Sequence, residues 1–162
     1  MKPKITIRLC KKSDLSKIMR LTKNWTCEFK GGPARGENWF TTKHAAKILR
    51  ENPKTCWVLE IEGKIAGFRF VDNDSDGRAW GWTIFIAKPF RQAGYGTLLF
   101  KETLKALKKL GFRKLYAECD FDNRRVIAWH KKMGYARIGT FPDWFGPDAH
   151  AAVFAMDLKQ HK

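Results

Sequence analysis

The chain has 162 residues, 44% of them hydrophobic and 14% aromatic, with a formal net charge of +16. That length suits one domain able to bury roughly 68–70% of its unfolded surface, and the apolar content excludes a disordered polyelectrolyte. No apolar run approaches the ~18 residues of a membrane span, and Met1-Lys2-Pro3-Lys4 has no apolar signal core, so the expectation is one cytoplasmic domain, residues 1–162, with no membrane partner.

Ile5 to Leu9 alternates and reads as a first strand, after which Ser13 stands where a helix N-cap belongs, with Leu15, Ile18 and Met19 as the stripe behind it. Trp25 to Asn38 is broken by Gly31-Gly32-Pro33 and Gly36. Thr41 or Thr42 caps a second helix through Ala45, Ala46, Ile48 and Leu49, ending before Asn52-Pro53. Cys56–Ile61 and Ile65–Val71 read as a hairpin across Glu62-Gly63-Lys64. A polar turn around Asp76-Gly77 returns the chain through Trp80 to Ile86, a run of aromatic and β-branched residues that reads as a buried strand. Leu99, Thr103, Leu107 and Leu110 then fall at helical spacing with lysines between them, and Gly111 follows as a C-cap. Lys114 to Cys119 is a strand that should pair parallel to Trp80–Ile86, Asn123 to Lys132 a helix ended by Gly134, and Tyr135–Thr140 and His150–Leu158 two last strands. Four cysteines, Cys10, Cys27, Cys56 and Cys119, lack any Cys-x-x-Cys spacing, so reduced thiols and no metal are expected.

Phe90-Arg91-Gln92-Ala93-Gly94-Tyr95-Gly96-Thr97 turns a strand into a helix through two glycines and an arginine. A helix N-terminus has unpaired N–H groups and a partial positive charge, and glycines admit a phosphate close to them. The inference is an anion site for a phosphate or pyrophosphate. A Walker loop would need Lys-Ser/Thr after Gly96, where Thr97-Leu98 stands, and a dinucleotide fingerprint would need a third glycine where Leu99 stands.

The remaining Arg-x-x-Gly-x-Gly pattern resembles the signature of the GNAT superfamily of N-acetyltransferases, Arg/Gln-x-x-Gly-x-Gly/Ala between the fourth strand and third helix. The element order resembles that superfamily over nearly the whole chain. A second likeness is an Asn followed seven residues later by an aromatic residue, usually Tyr, and then Gly-Phe; here these are Asn123, His130, Gly134 and Tyr135, with His130 in the tyrosine place. The resemblance implies an α/β (α+β) fold, a mixed and mostly antiparallel sheet of about seven strands flanked by four helices. It implies acetyl-CoA as co-substrate, with Arg91, Gln92, Ala93, Gly94, Tyr95, Gly96 and Thr97 on the pyrophosphate. Ile84, Phe85 and Ile86 would pair with the pantetheine amides and polarise the thioester, and Asn123 would bond the pantetheine arm. Glu118 stands where a general base acts in relatives that modify peptide N-termini, with a water chain as the alternative route for the amine's proton. His130 would protonate the departing thiolate, with base or wall as the alternatives.

The acceptor, a small-molecule or peptide amine, would enter between Trp25–Phe40 and Phe141–Pro147. Both stretches are aromatic, and Glu28, Glu37, Asp143 and Asp148 in or beside them could bind an ammonium group. Monomer and homodimer both remain open. The +16 charge motivates a less favoured alternative, a basic nucleic-acid- or ribosome-associated binding module, and His130 in the tyrosine place motivates another, a CoA-binding protein without catalysis.

Overall fold

A computed structural model describes residues 3–23, 41–74 and 76–159. The first acceptor stretch, with Trp25, Glu28, Phe29, Glu37, Trp39 and Phe40, therefore lies outside the described residues, as does Cys27. In chain order the elements are β1 (Ile5–Leu9), α1 (Leu15–Thr22), α2 (Thr42–Glu51), β2 (Cys56–Ile61), β3 (Lys64–Asn73), β4 (Arg78–Ile86), α3 (Tyr95–Lys109), β5 (Lys114–Asp120), α4 (Arg124–Lys132), β6 (Ala136–Phe141) and β7 (Ala151–Asp157). The strands form one seven-stranded sheet in the order β1-β2-β3-β4-β5-β7-β6. Every neighbouring pair is antiparallel except β4 and β5. That parallel pair is the one joined through a helix, since parallel strands need a crossover.

The sheet has two apolar faces because its strands alternate. On one, Ile18 of α1 and Ala45, Ile48 and Leu49 of α2 pack with Val58, Phe68, Phe70 and Phe85. On the other, Leu99, Phe100 and Leu107 of α3 pack with Leu115, Ala117, Phe154 and Met156. Phe68, Phe70, Leu59, Leu107 and Phe154 are fully buried, each worth roughly 1.5–3 kcal/mol relative to an exposed side chain.

Two local expectations are corrected. Ser13 is not a cap: it lies inside a 3-10 turn, Lys12–Asp14, that precedes α1. The side chain that organises this entry is Asp14, which accepts the Lys11 N–H at 2.8 Å and two Arg8 N–H groups at 2.7 and 3.1 Å. Leu110 is 45% exposed. It sits at the C-cap of α3, just before Gly111 at φ 85°, so the buried stripe has already ended at Leu107. Thr41 is the cap of α2, its hydroxyl accepting the His44 N–H at 3.2 Å.

Candidate functional site

β4 and β5 pair over only three residues, Arg78 with Lys114, Ala79 with Leu115 and Trp80 with Tyr116. Beyond that point the two strands part, β4 running on to Ile86 and β5 to Asp120. A bulge marks the parting. Phe70 of β3 faces Thr83, but Asp72 faces Trp80, so β4 spends one extra residue around Gly81 and Trp82. Gly81 fits because a Cβ there would come within 3.3 Å of the Tyr116 carbonyl oxygen. The Ala87 N–H donates to the Ala66 carbonyl at 2.8 Å. Alternation along the ladder then turns the N–H and C=O groups of Phe85 and Thr83 toward β3, and those of Ile84 and Ile86 toward the opening. The strand is accordingly less buried than its composition suggests, with Ile84 and Ile86 only half-buried. Phe85 offers no backbone to the opening; its ring stacks on Phe68 at 5.4 Å and lies 5.5 Å from the Arg91 guanidinium.

The open β4 edge leads into the glycine loop. Arg91 Nε donates to the Ile86 carbonyl at 2.8 Å, fastening the loop to the strand. Gln92 and Gly94 take positive φ values of 67° and 83°, and Gly94 is the N-cap of α3. No side chain caps this helix and no acidic residue sits in its first turn. The Tyr95, Gly96 and Thr97 N–H groups are thus orphan donors at the positive end of a 15-residue helix. Arg91, Gln92, Ala93 and Gly94 are exposed around them. Backbone donors arranged in this way can hold an anion.

On the α1/α2 face, Tyr116 and Glu118 project from β5 while Leu115, Ala117 and Cys119 point into the opposite core. Trp80 Nε1 donates to Glu118 Oε2. Burial pushes the Glu118 carboxyl up to about 7, against the pull of the Trp80 hydrogen bond. Trp80 is stacked between Tyr116, at 5.8 Å, and Phe141, at 6.5 Å, and Phe141 meets Trp144 at 5.0 Å. Trp82 meets His44 of α2 edge-on at 4.6 Å. Glu118 is therefore a half-buried acid at the parting of the strands, walled by aromatic rings. Period-two alternation in β4 and β5 carried the signal for Trp80 and Tyr116, once the parallel register was known. Asp143 and Asp148 serve their own loop: Asp143 Oδ1 accepts the Asp148 N–H at 2.9 Å, and both have positive φ.

On the α3/α4 face, Asn123 is the N-cap of α4, Oδ1 accepting the Val126 N–H at 3.1 Å. Its Nδ2 is left without a partner among the described residues. His130 is 7% exposed, stacked on Phe154 at 4.7 Å and 10°. Its Nδ1 lies 3.0 Å from the Val126 carbonyl, which can only accept, so Nδ1 carries the proton and Nε2 is bare. Burial pushes the imidazole down to about 4. In that tautomer the one proton of the neutral ring lies inside its own helix, which among the readings of His130 as acid, base or wall favours the last. Tyr135, the last residue of the second motif, and the buried Arg69, which no motif marked, lie beside it; the ring centroids of His130 and Tyr135 are 5.2 Å apart.

The family model of the acetyltransferase (GNAT) family matches residues 18–135, most of the chain. The chain belongs to the GNAT acetyltransferase family. Phosphinothricin N-acetyltransferase of Streptomyces viridochromogenes is 22% identical over 145 residues, 84% of this chain and 76% of that protein. An N-alpha-acetyltransferase of Sulfolobus acidocaldarius is 23% identical, covering 94% of this chain and 92% of that one. Among solved structures, Ard1 from Thermoplasma volcanium superposes with a TM-score of 0.82 at 20% identity, over 94% of this chain and 97% of that chain. The mixed, mostly antiparallel seven-stranded sheet and four helices expected from the sequence are the fold of this GNAT acetyltransferase. No described helix of the acetyltransferase is long and apolar enough to cross a membrane.

Proposed function

We propose that this GNAT protein is an N-acetyltransferase that moves an acetyl group from acetyl-CoA to a primary amine, by direct attack within a ternary complex. The observation that carries the reading is continuity: the unpaired edge of β4 runs straight into the uncapped N-terminus of α3. An extended amide-bearing arm would pair with Ile84 and Ile86 as an added strand. Its pyrophosphate would then meet the N–H groups of Gly94 to Thr97 and the Arg91 guanidinium, with Gln92 and Ala93 completing the loop. Asn123 Nδ2 donates to the same arm. A β4 edge N–H, preorganised and half-buried, polarises the thioester carbonyl.

The acceptor approaches from the aromatic α1/α2 face. Glu118 takes its proton, the elevated carboxyl being matched to work near neutral pH. Trp80, Tyr116 and Trp144 favour a cationic amine before it is deprotonated. His130 closes the pocket as a wall. The two relatives are named for a small-molecule amine and for N-alpha groups, and both classes fit a face of this kind.

CoA should raise the melting temperature in a concentration-dependent way. Thiol release from acetyl-CoA, screened with phosphinothricin, amino-acid, polyamine and N-terminal peptide acceptors, should then identify the amine. No thermal shift with millimolar CoA would remove the donor and with it the proposal.

A further inference from the structure

The sheet ends on β1, and one side of that strand has no ladder partner. The Glu62 N–H donates to the Lys4 carbonyl at 3.0 Å and the Cys10 N–H to the Cys56 carbonyl at 2.9 Å, one just before the strand and one just after it. No register shift lies between them. The N–H and C=O groups of Lys4, Thr6, Arg8 and Cys10 therefore face β2, and those of Ile5, Ile7 and Leu9 face outward. Native edges are commonly blunted by bulges, prolines or covering elements. The opposite edge, β6, breaks register between Arg137 and Gly139. Ile5 to Leu9 has neither a break in register nor a proline.

An apolar groove runs beside this edge. Ile5, Ile7 and Leu9 share one face of the sheet by period two, and Ile7 packs on the α3/α4 core. The helix α3 lies over β3 and β4 and only borders β1, so Ile5 and Leu9 are left 39% and 47% exposed. Ile5, Ile7, Trp57, Leu98, Glu102 and Ala106 line a groove of about 440 Å³. Its one carboxylate, Glu102, is held by Lys105 Nζ at 2.7 Å. Lys101, Lys105 and Lys109 form the next row of α3, three residues past Leu98, Glu102 and Ala106 respectively. Lys4, Lys11 and Lys12 are exposed at the two ends of the strand. No carboxylate among the described residues pairs with the side chains of Lys4, Lys11, Lys12, Lys101 or Lys109, whereas Asp14 and Glu60 are both taken by Arg8.

We propose that β1 and this groove take an extended acidic segment of a partner protein as an added strand. Apolar side chains at every second position lie along Ile5, Ile7 and Leu9, and carboxylates stand between them. Ladder hydrogen bonds to the outward groups of Ile5, Ile7 and Leu9 supply affinity, and the groove reads alternate side chains. The unpaired lysines select an acidic segment over a neutral or basic one. A second copy of the chain is disfavoured. An antiparallel β1 centred on Ile7 would bring its Lys4 beside the first copy's Lys11 and Lys12, and like charges across a pair destabilise it. The surface lies three strands from the parting of β4 and β5, so its occupation is independent of acetyl transfer.

The probe is a fluorescein-labelled peptide of alternating glutamate and valine, about eight residues long. One control has lysine for glutamate; a second has the same glutamates and valines in two blocks. Anisotropy titration against the full chain should give saturable binding of the alternating acidic peptide, roughly tenfold or more tighter than either control, and weaker as salt rises. Ile7→Pro removes an outward N–H and leaves the inward ladder its donors, so it should weaken binding roughly tenfold. Lys4→Glu combined with Lys101→Glu, both at exposed positions, should do the same with the melting temperature kept. In wild type alone, amide hydrogen exchange at Ile5, Ile7 and Leu9 should be fast in the free chain and slowed by the peptide, with Thr6 and Arg8 protected throughout. Equal affinity for the three peptides, or no binding and no added protection at ~1 mM acidic peptide, overturns the proposal. So does protection of the three outward amides in the chain alone together with a dimer in sedimentation, which gives the edge to a second copy. Protection of the same amides by poly-uridylate also overturns it, and gives the lysines to nucleic acid.

Discussion

In the proposed mechanism the amine's proton goes to one acid, whose titration the indole beside it sets. Glu118 is raised to about 7 by burial, and the Trp80 N–H opposes that rise by stabilising the charged form. A base must be ionised, so kcat/KM should climb with pH through about 7. Glu118→Gln should cost ~10²–10⁴-fold in kcat and abolish that limb, while the melting shift with CoA survives. Trp80→Phe removes the N–H that favours the anion, so the limb should move to higher pH with the plateau rate largely kept. A profile that stays in place in Trp80→Phe would mean that the limb belongs to another group. Sequence placed Glu118 as a candidate but not its indole partner. The reason is physical: Trp80 and Glu118 are 38 residues apart, and only the parallel register of two strands puts them on the same face.

At the level of elements, the proposed donor half of the site is a junction of a strand edge, a loop and a helix end, and each is set by local chain chemistry. This is why the strand, loop and helix that form it are legible in the sequence. Glycine and arginine spacing, a β-branched strand before and an amphipathic stripe after are all short-range signals. What was not legible is the parting of β4 from β5, because it depends on a one-residue bulge opposite Val71 that no periodicity announces. Leu110 misled for a related reason, since helical spacing continues one step past the residue where the Leu107 turn is capped. The junction can be tested at Gly94, where φ is 83° and a Cβ would meet nothing within 4 Å. Gly94→Ala should therefore lose ~1–2 kcal/mol of stability from backbone strain alone. It should also weaken CoA binding by more than tenfold, because the methyl fills the space left for the phosphate. Calorimetric unfolding and CoA titration read the two effects separately; a variant that loses stability but keeps its CoA affinity would move the pyrophosphate away from this loop.

For the whole molecule, two groups on opposite faces of the sheet, the half-buried Glu118 and the buried His130, should pull stability in opposite directions as pH falls. Glu118 goes from an ordinary 4.5 to about 7 in the folded chain. Between those values the folded state holds a proton that the unfolded chain has released, so this group adds stability as pH drops through 7 and gives its full contribution below 4.5. His130 goes the other way, from 6.5 to about 4. There the unfolded chain binds the proton first, so the stability it contributes is complete above 6.5 and is lost as pH falls toward 4. In wild type the two slopes overlap and offset each other, and a flat melting profile would hide both. Glu118→Gln should uncover the histidine, giving a Tm that falls relative to wild type as pH is lowered through this window. His130→Phe, which keeps a ring against Phe154, should uncover the glutamate, giving a Tm that rises relative to wild type over the same range. At roughly 2–4 °C per kcal/mol for a chain of this size, either difference is well within calorimetric reach. Parallel profiles for all three proteins would mean that neither group is buried as its neighbours require, and would remove both the poised base and the neutral wall from the mechanism.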